Sequence, residues 1–294
     1  GLVNDIRREF SHIVADMSLD NFQVIFDAIF GASTAIFTGE IVVSVQDEET
    51  EAIPFTARFD DLAGEPFELQ EQRDIQAGRT PVAVTHAWYP LSLDADFADK
   101  PVVLAAMQTA EGWNPCAIRM RQLTAAGMDI HLEEEQSKNE EIEHHPESVG
   151  FLAVRPGEIL NAAGERIGEA GQVTTDQPDG ETWHTVTLEH EYQKPVVLMQ
   201  MNTYNGHNPS HTRVRNVGKT TFEYQIEEWD YLDQQHFDET ISYVVLEQGI
   251  HHMAQGSTFE VGDVETDHRW TRVALQAEFD TITTVVSNCQ SYNG

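Results

Sequence analysis

The fold is decided by a stretch that occurs twice, as PVVLAAMQTAEGWNPCAIRMRQLTAAGMDIHLEEE at residues 101–135 and as PVVLMQMNTYNGHNPSHTRVRNVGKTTFEYQIEEW at residues 195–229. The two copies align without a gap at a constant offset of 94 residues, from Pro101 to Pro195. Behind each copy lies a second shared stretch, HPESVGFLAV or FDETISYVVL. Self-similarity at a fixed period is typical of repeat proteins, so the sequence predicts two modules of one kind.

The same pattern begins a third time near the end of the sequence. A tryptophan and an alternating stretch precede each of the first two copies, at Trp88 and Trp183, and the equivalent RWTRVALQAEF surrounds Trp270. The last seven residues, NCQSYNG at 288–294, match QMNTYNG of the second copy. The sequence therefore predicts the start of a third, incomplete module, completed either by further chain or by strands of a neighbouring subunit.

Each module is predicted to consist of short strands. In the second module, segments that alternate apolar and polar residues or are rich in β-branched residues are 185–188, 196–201, 212–217, 222–228 and 241–246. About six such strands in about ninety residues predict an antiparallel six-stranded β-sandwich.

The sequence ahead of the modules has a different pattern. Apolar residues recur at helical spacing from Ile6 to Met17, and the apolar stretch FQVIFDAIF follows. This predicts a short α-helical attachment element that packs on a partner. Two strand-like segments, 39–45 and 53–59, come next and could form a linking β unit or the first strands of module one.

The predicted fold class is thus all-β, with tandem antiparallel sandwich modules and a helical N-terminal element. The predicted parts are the attachment element, the linking β segment, the first module, the second module and the third, incomplete module, at residues 1–38, 39–80, 81–158, 159–250 and 251–294.

The charge is extreme, with 50 acidic against 17 basic residues and a formal net charge of −33. Such a field repels phosphates and anionic membranes, so we expect no nucleic-acid partner. No apolar run is long enough to cross a bilayer, so we expect no membrane insertion. An acidic, folded chain is typical of a halophile; the alternative is an acidic secreted protein that uses calcium.

One phrase of the second module carries a family resemblance. The stretch RVRNVGKTTFEYQIEEWDYLDQQHFDETISYVVLE resembles the core signature of the H-type lectin family. Tandem repeats of this kind are similar to those of haloarchaeal and marine bacterial surface proteins and of viral fibre proteins. The resemblance implies a six-stranded sandwich, often trimeric, that binds N-acetylgalactosamine or related sugars.

The carbohydrate site predicted in the second module combines an aromatic platform with polar groups that fix hydroxyls. Its candidate residues are Trp229, Asp230, Tyr231, Arg213, Arg215 and His236.

An alternative interpretation assigns these residues to structure. The two arginines could pair with Glu227 and Glu228 across a sheet, and Trp229 could close the sandwich edge. In the first module Glu135 stands at the position of Trp229, so an aromatic platform is not expected there.

Metal and catalytic motifs give little support to other functions. His207 and His211 flank an Asn-Pro turn and no helix brings them onto one face, so no zinc site is predicted there. His144 and His145 are interpreted as part of a solvated loop. Glu133–Glu135 are interpreted as surface charge, and Ca²⁺ is possible but has no loop motif behind it. No metal site, cofactor or catalytic motif is predicted, so we expect a protein that is not an enzyme.

The sequence predicts an adhesion protein, extracellular, at the cell surface or on a virion, whose modules recognise cell-surface glycans or exopolysaccharide. The alternative is a purely structural subunit of a fibre, filament or surface layer. A homotrimer is expected under both hypotheses.

Overall fold

A computed structural model describes residues 35–44, 50–59, 74–93, 97–254, 256–279 and 284–292. This part of the chain is all-β and contains no helix, and its strand pairs are antiparallel. No helix within these ranges is long and apolar enough to span a membrane. The chain forms two compact units, residues 1–72 and 73–294.

The first unit contains one described hairpin, in which β1 (Ala35–Ser44) pairs with β2 (Thr50–Phe59). The two predicted strand segments are therefore confirmed, but β1 begins four residues earlier than expected. Residues 35–38, assigned to the helical element from the sequence, instead continue the ladder opposite β2, since their Ala-Ile-Phe-Thr run suits a strand. The remainder of the predicted helical element lies outside the described residues.

The first module consists of six strands in two sheets. The sheet order is β3-β8-β5 in one sheet and β4-β7-β6 in the other. The strand β3 pairs with β8 although it precedes the predicted module boundary at residue 81. The strands are β3 (Ile75–Arg79), β4 (Tyr89–Ser92), β5 (Val102–Met107), β6 (Cys116–Thr124), β7 (Gly127–Glu134) and β8 (Val149–Val154).

The second module has the same arrangement with one more strand, in sheets ordered β12-β15-β10-β9 and β11-β14-β13. All five segments predicted from the sequence overlap a strand of this module. The strands are β9 (Gly157–Leu160), β10 (Arg166–Gln177), β11 (His184–Thr187), β12 (Pro195–Met201), β13 (Ser210–Arg215), β14 (Thr221–Glu228) and β15 (His236–Glu247).

A short hairpin follows the second module, formed by β16 (Gly249–His252) and β17 (Thr258–Val261). The described residues after β17 contain no strand, so the alternating stretch around Trp270 is not paired into a sheet there.

Three apolar clusters organise the second unit. One lies between the two sheets of the first module and includes Val103, and one lies between the two sheets of the second module and includes Val197. The third joins the modules, because Val102 and Leu104 on β5 pack in one cluster with Val244 and other residues of the second module. Neighbouring residues of β5 thus point alternately into its own module and into the junction, as the period of a strand requires.

Candidate functional site: the junction between the modules

A buried network of one histidine and two glutamates lies at the end of the second module. His236 Nδ1 is 2.9 Å from Glu228 Oε1, and His236 Nε2 is 3.3 Å from Glu239 Oε1. Glu239 also accepts hydrogen bonds from the backbone N–H of Asn205 at 2.8 Å and of Gly206 at 2.9 Å. Burial opposes ionisation of Glu239, but these bonds and the one to His236 hold its pKa below the ordinary value.

The first module contains the same network at the equivalent positions. His144 Nδ1 is 2.6 Å from Glu134 Oε1, and His144 Nε2 is 3.5 Å from Glu147 Oε1. Glu147 accepts hydrogen bonds from the backbone N–H of Glu111 at 2.7 Å and of Gly112 at 2.8 Å. Burial raises the pKa of Glu147, but the hydrogen bonds from Thr109 and from these N–H groups lower it by more, so the pKa lies below its ordinary value.

Two interpretations made from the sequence are therefore wrong. His144 is buried in this network rather than placed in a solvated loop, and Glu134, expected as surface charge, is buried beside it. The physical reason is that the imidazole lies between two buried carboxylates and bonds to both of them, so these polar groups can be buried together. Composition alone does not reveal such a grouping.

Arg119 of β6 reaches from the first module into the network of the second. Its side chain has no solvent exposure. Its Nη2 donates to Gly206 O at 3.0 Å and lies 3.4 Å from Glu239 Oε1. Its Nη1 donates to Asn208 O at 3.0 Å and to Ser210 Oγ at 3.1 Å. One guanidinium thus binds four groups of the neighbouring module.

The same arginine stacks on a tyrosine of the second module. The guanidinium carbon of Arg119 lies 4.5 Å from the centroid of the Tyr204 ring, and the ring centroids of Tyr204 and Trp88 are 5.2 Å apart in an edge-to-face arrangement. Tyr204 donates its hydroxyl hydrogen to Glu133 Oε1 at 2.8 Å. Burial, together with the charge of Glu133, raises the pKa of Tyr204, so its hydroxyl stays protonated. Glu133 Oε2 also lies 2.7 Å from Arg119 Nη1. Glu133 was expected to be surface charge, and it instead forms part of the junction.

The third copy contacts the second module through the equivalent residues. Tyr292 corresponds to Tyr204, and its ring lies 4.9 Å from the guanidinium of Arg213 and 5.2 Å from Trp183. The charge of Glu227, then burial, then the hydrogen bond that Glu227 accepts from Tyr292 raise the pKa of this tyrosine. Arg213, Trp183 and Glu227 occupy the positions of Arg119, Trp88 and Glu133, so this part of the junction occurs twice.

Backbone contacts follow the same repeat. Asn202 donates through Nδ2 to Val103 O at 3.0 Å across the first junction. At the second junction Gln290, the residue equivalent to Asn202, accepts from the backbone N–H of Val197 at 2.6 Å. Val197 is the equivalent of Val103. At each junction, a side chain of the next copy therefore bonds to a backbone group of the edge strand, β5 or β12.

The arginines predicted to bind sugar lie within this second junction. Arg213 Nη1 is 3.5 Å from Glu227 Oε2, as the structural alternative predicted. Arg215 pairs instead with Glu223 at 2.6 Å, and its guanidinium lies 3.8 Å from the ring of Trp183. The pairing of Arg215 with Glu228 is excluded, because Glu228 belongs to the buried histidine network.

The other predicted residues separate into two groups. Trp229 is half-buried, and its ring centroid lies 5.4 Å from that of His211. Asp230 and Tyr231 are exposed. The Tyr231 hydroxyl accepts a hydrogen bond from the backbone N–H of Gln136 in the first module. His236 is buried in the network described above and does not join the surface group.

Metal ligands are not grouped in the described part of the chain, where no three histidine, cysteine or acidic side chains could hold an ion. His211 is instead paired with Glu227 at 2.9 Å. Cys116 and Cys289 are both free thiols.

Comparison with known proteins gives one similarity of interest. The chain is 28% identical over 138 residues to halomucin of Haloquadratum walsbyi, a match that covers 45% of this chain and 1% of halomucin. No protein-family model matches the chain, so the resemblance to H-type lectins stays a prediction. No solved structure matches it.

Proposed function

We propose that this chain is a structural protein in which β-sandwich modules stack in series through one repeated junction. The observation that carries the proposal is the recurrence of one contact: Arg119 on Tyr204 and Arg213 on Tyr292 join different pairs of copies through equivalent residues. Each repeat then contacts only its neighbours, which is the arrangement of solenoid proteins.

The junction is head-to-tail, because the two surfaces it joins are different. One surface presents an arginine beside a tryptophan and a glutamate, and the other presents a tyrosine and a buried histidine network. Such heterologous contacts build open arrays rather than closed dimers. Apolar packing adds to the polar contacts, since Leu104 and Leu198 of the two modules belong to one buried cluster. Both features support a stiff array rather than flexibly linked domains.

The setting proposed for this array is the surface of a halophilic cell or the medium around it. Two independent observations support it: the net charge of −33 and the similarity to a protein named halomucin. Hydrated carboxylates on the surface of such an array keep the protein soluble when salt screens their repulsion.

Distance measurements between spin labels test the stacking directly. Labels at Lys138→Cys and Thr220→Cys, both exposed positions, report on the two modules after Cys116 and Cys289 are changed to serine. We expect a narrow distance distribution that broadens in Arg119→Met. The matched control is Arg121→Met, because Arg121 pairs with Asp129 and Trp88 of its own module. A broad distribution in the unmodified junction would refute the stacked array.

Glycan recognition is the second candidate function, and a specific observation favours it. The indole N–H of Trp229, Nε of Arg213 and Nδ1 of His211 are buried and have no hydrogen-bond partner among the described residues. Sugar hydroxyls could accept from the indole and guanidinium N–H groups, and exposed Asp230 and Tyr231 follow Trp229 in sequence. A glycan array in multimolar salt tests this function: binding that Trp229→Ala abolishes would support it, and a silent array with the folded protein would exclude it.

A further inference from the structure

The two copies of the histidine network differ in their covering: among the described residues, only the copy in the second module receives a side chain from the other module. In the second module Arg119 covers the loop, so that Gly206, Ser210 and Glu239 are all buried. In the first module the equivalent Gly112 and Cys116 are partly exposed, and Asn114 is exposed. The surface that receives an arginine in the second module is therefore open in the first.

A cleft of about 370 Å³ adjoins this surface and shares Gly112 and Asn114 with it. Its lining residues include Glu134, Glu141 and Glu143, and the adjoining Trp113 is 97% exposed. Carboxylates next to an exposed indole face suit a planar cation, which forms charged hydrogen bonds at its edge and stacks on an aromatic ring. The remaining lining residues are Gly112, Asn114 and His145.

The loops behind the two surfaces are held by equivalent hydrogen bonds. Glu147 accepts from the N–H of Gly112, as Glu239 accepts from that of Gly206. Asn114 donates to Glu134 at 2.9 Å, as Asn208 donates to Glu228 at 3.1 Å. The carbonyl groups of Gly112 and Asn114 are thus expected to have the same directions as those that bind Arg119.

We propose that the cleft of the first module binds the arginine of another module of this kind, through the carbonyls of Gly112 and Asn114 and the carboxylates that line the cleft. This inference rests on the proposed stacking, since the occupant is the arginine that such a module presents at its junction. The two receiving surfaces differ at several positions, with Ala110 in place of Tyr204 and Trp113 in place of His207. Cys116 stands where the second module has Ser210, and a thiol accepts a hydrogen bond more weakly than a hydroxyl does.

The test is a titration of the full chain with N-acetyl-arginine amide in molar salt. Its controls are the corresponding lysine and citrulline amides. Lysine carries the positive charge without the planar guanidinium, and citrulline has the planar shape without the charge. We expect a saturable change in Trp113 fluorescence that Trp113→Phe removes, with the controls binding about tenfold more weakly. Cys116→Ser should tighten arginine binding about threefold by restoring a hydroxyl acceptor.

Backbone NMR signals provide a second measurement within the same molecule. The amide signals of Gly112 and Asn114 should shift with arginine, whereas those of Gly206 and Asn208, already covered by Arg119, should not. Equal binding of lysine and arginine, or no saturable response in either the natural chain or Cys116→Ser, would overturn the proposal. A response to N-acetylgalactosamine in place of arginine would also overturn it and would identify a sugar site.

The spin-label and arginine experiments fail separately. A narrow label distribution with no arginine binding would leave the stacking intact and reject only this use of the cleft. A broad distribution would reject the stacking itself.

Discussion

The guanidinium of Arg119 lies 4.5 Å from the ring centroid of Tyr204, although the two residues belong to different modules. Glu133 holds both of them, through an ion pair with the arginine and a hydrogen bond from the tyrosine hydroxyl. The arginine is fully buried and is surrounded by acceptors of the second module. The contact is therefore specific to one relative orientation of the modules, because a buried charge requires every partner in place.

Removal of Arg119 should destabilise the protein strongly. Arg119→Met leaves the buried Glu239 and the nearly buried Glu133 without their cation, so we expect a loss of about 3–5 kcal/mol in the free energy of unfolding. Denaturant unfolding in multimolar salt measures it. In the control Arg121→Met, a partly exposed pair is lost and the cost should be about 1 kcal/mol or less. Equal effects of the two substitutions would contradict the role assigned to Arg119.

Acid should weaken both histidine networks. The pKa values of Glu147 and Glu239 lie below their ordinary value of 4.5 in the folded chain. Their contribution is fully present above pH 4.5 and is lost as the pH falls through the folded values, because the unfolded state then binds more protons. Unfolding measured from pH 6 to pH 3 should show this loss. Glu239→Gln should reduce the slope below pH 4.5, whereas Glu140→Gln, at an exposed position, should not.

Side chains should not be tolerated at Gly206 or Gly112. A Cβ at either position would collide with the ring of the network histidine, His236 or His144. We expect each alanine substitution to cost about 1–3 kcal/mol by overpacking, seen as a lower midpoint of thermal unfolding. Gly218→Ala is the matched control, because its Cβ would meet its nearest neighbour, Thr221 O, at an ordinary 3.4 Å. A similar loss at Gly218 would argue against a special role of the network glycines.

Tyr292 should hold the third copy on the second module. Tyr292→Ala removes the contacts with Arg213 and Trp183, so residues 284–292 should dissociate more often from β12. The backbone N–H of Val197, bonded to Gln290, should then exchange with deuterium about tenfold faster. Tyr231→Ala, which removes another tyrosine outside this contact, should leave the exchange of Val197 unchanged. Unchanged exchange in Tyr292→Ala would show that the tyrosine does not anchor this segment.

The strands were predictable from the sequence because their signal is local. Alternation along 196–201 or 222–228 reports which face of a strand is buried, and a repeat supplies that information twice. The long strand β10, Arg166–Gln177, was not predicted, since its glycines and threonines carry little apolar signal. Residues 35–38 were assigned to the wrong element because an apolar run without clear periodicity fits both helix and strand.

The junction was harder to predict because its residues meet only when two modules pack. Arg119 and His144 stand among fifty acidic residues in a chain whose surface is expected to be charged, so nothing local marks them as buried. One signal was available: the repeat aligns Arg119 with Arg213 and His144 with His236. Preservation of polar residues between diverged copies indicates that both copies use them. Arg213 was instead assigned, together with Arg215, to a sugar site that a family resemblance implied.

The second module contains both halves of the contact, because it presents Tyr204 and its histidine network to Arg119 and presents Arg213 to Tyr292 of the next copy. A duplication of one period within the gene therefore adds a module that already fits the copy before it and the copy after it. Unequal recombination can lengthen or shorten such a protein in whole periods without creating an unmatched surface. Its length can thus change over generations while the chemistry of every joint is inherited intact.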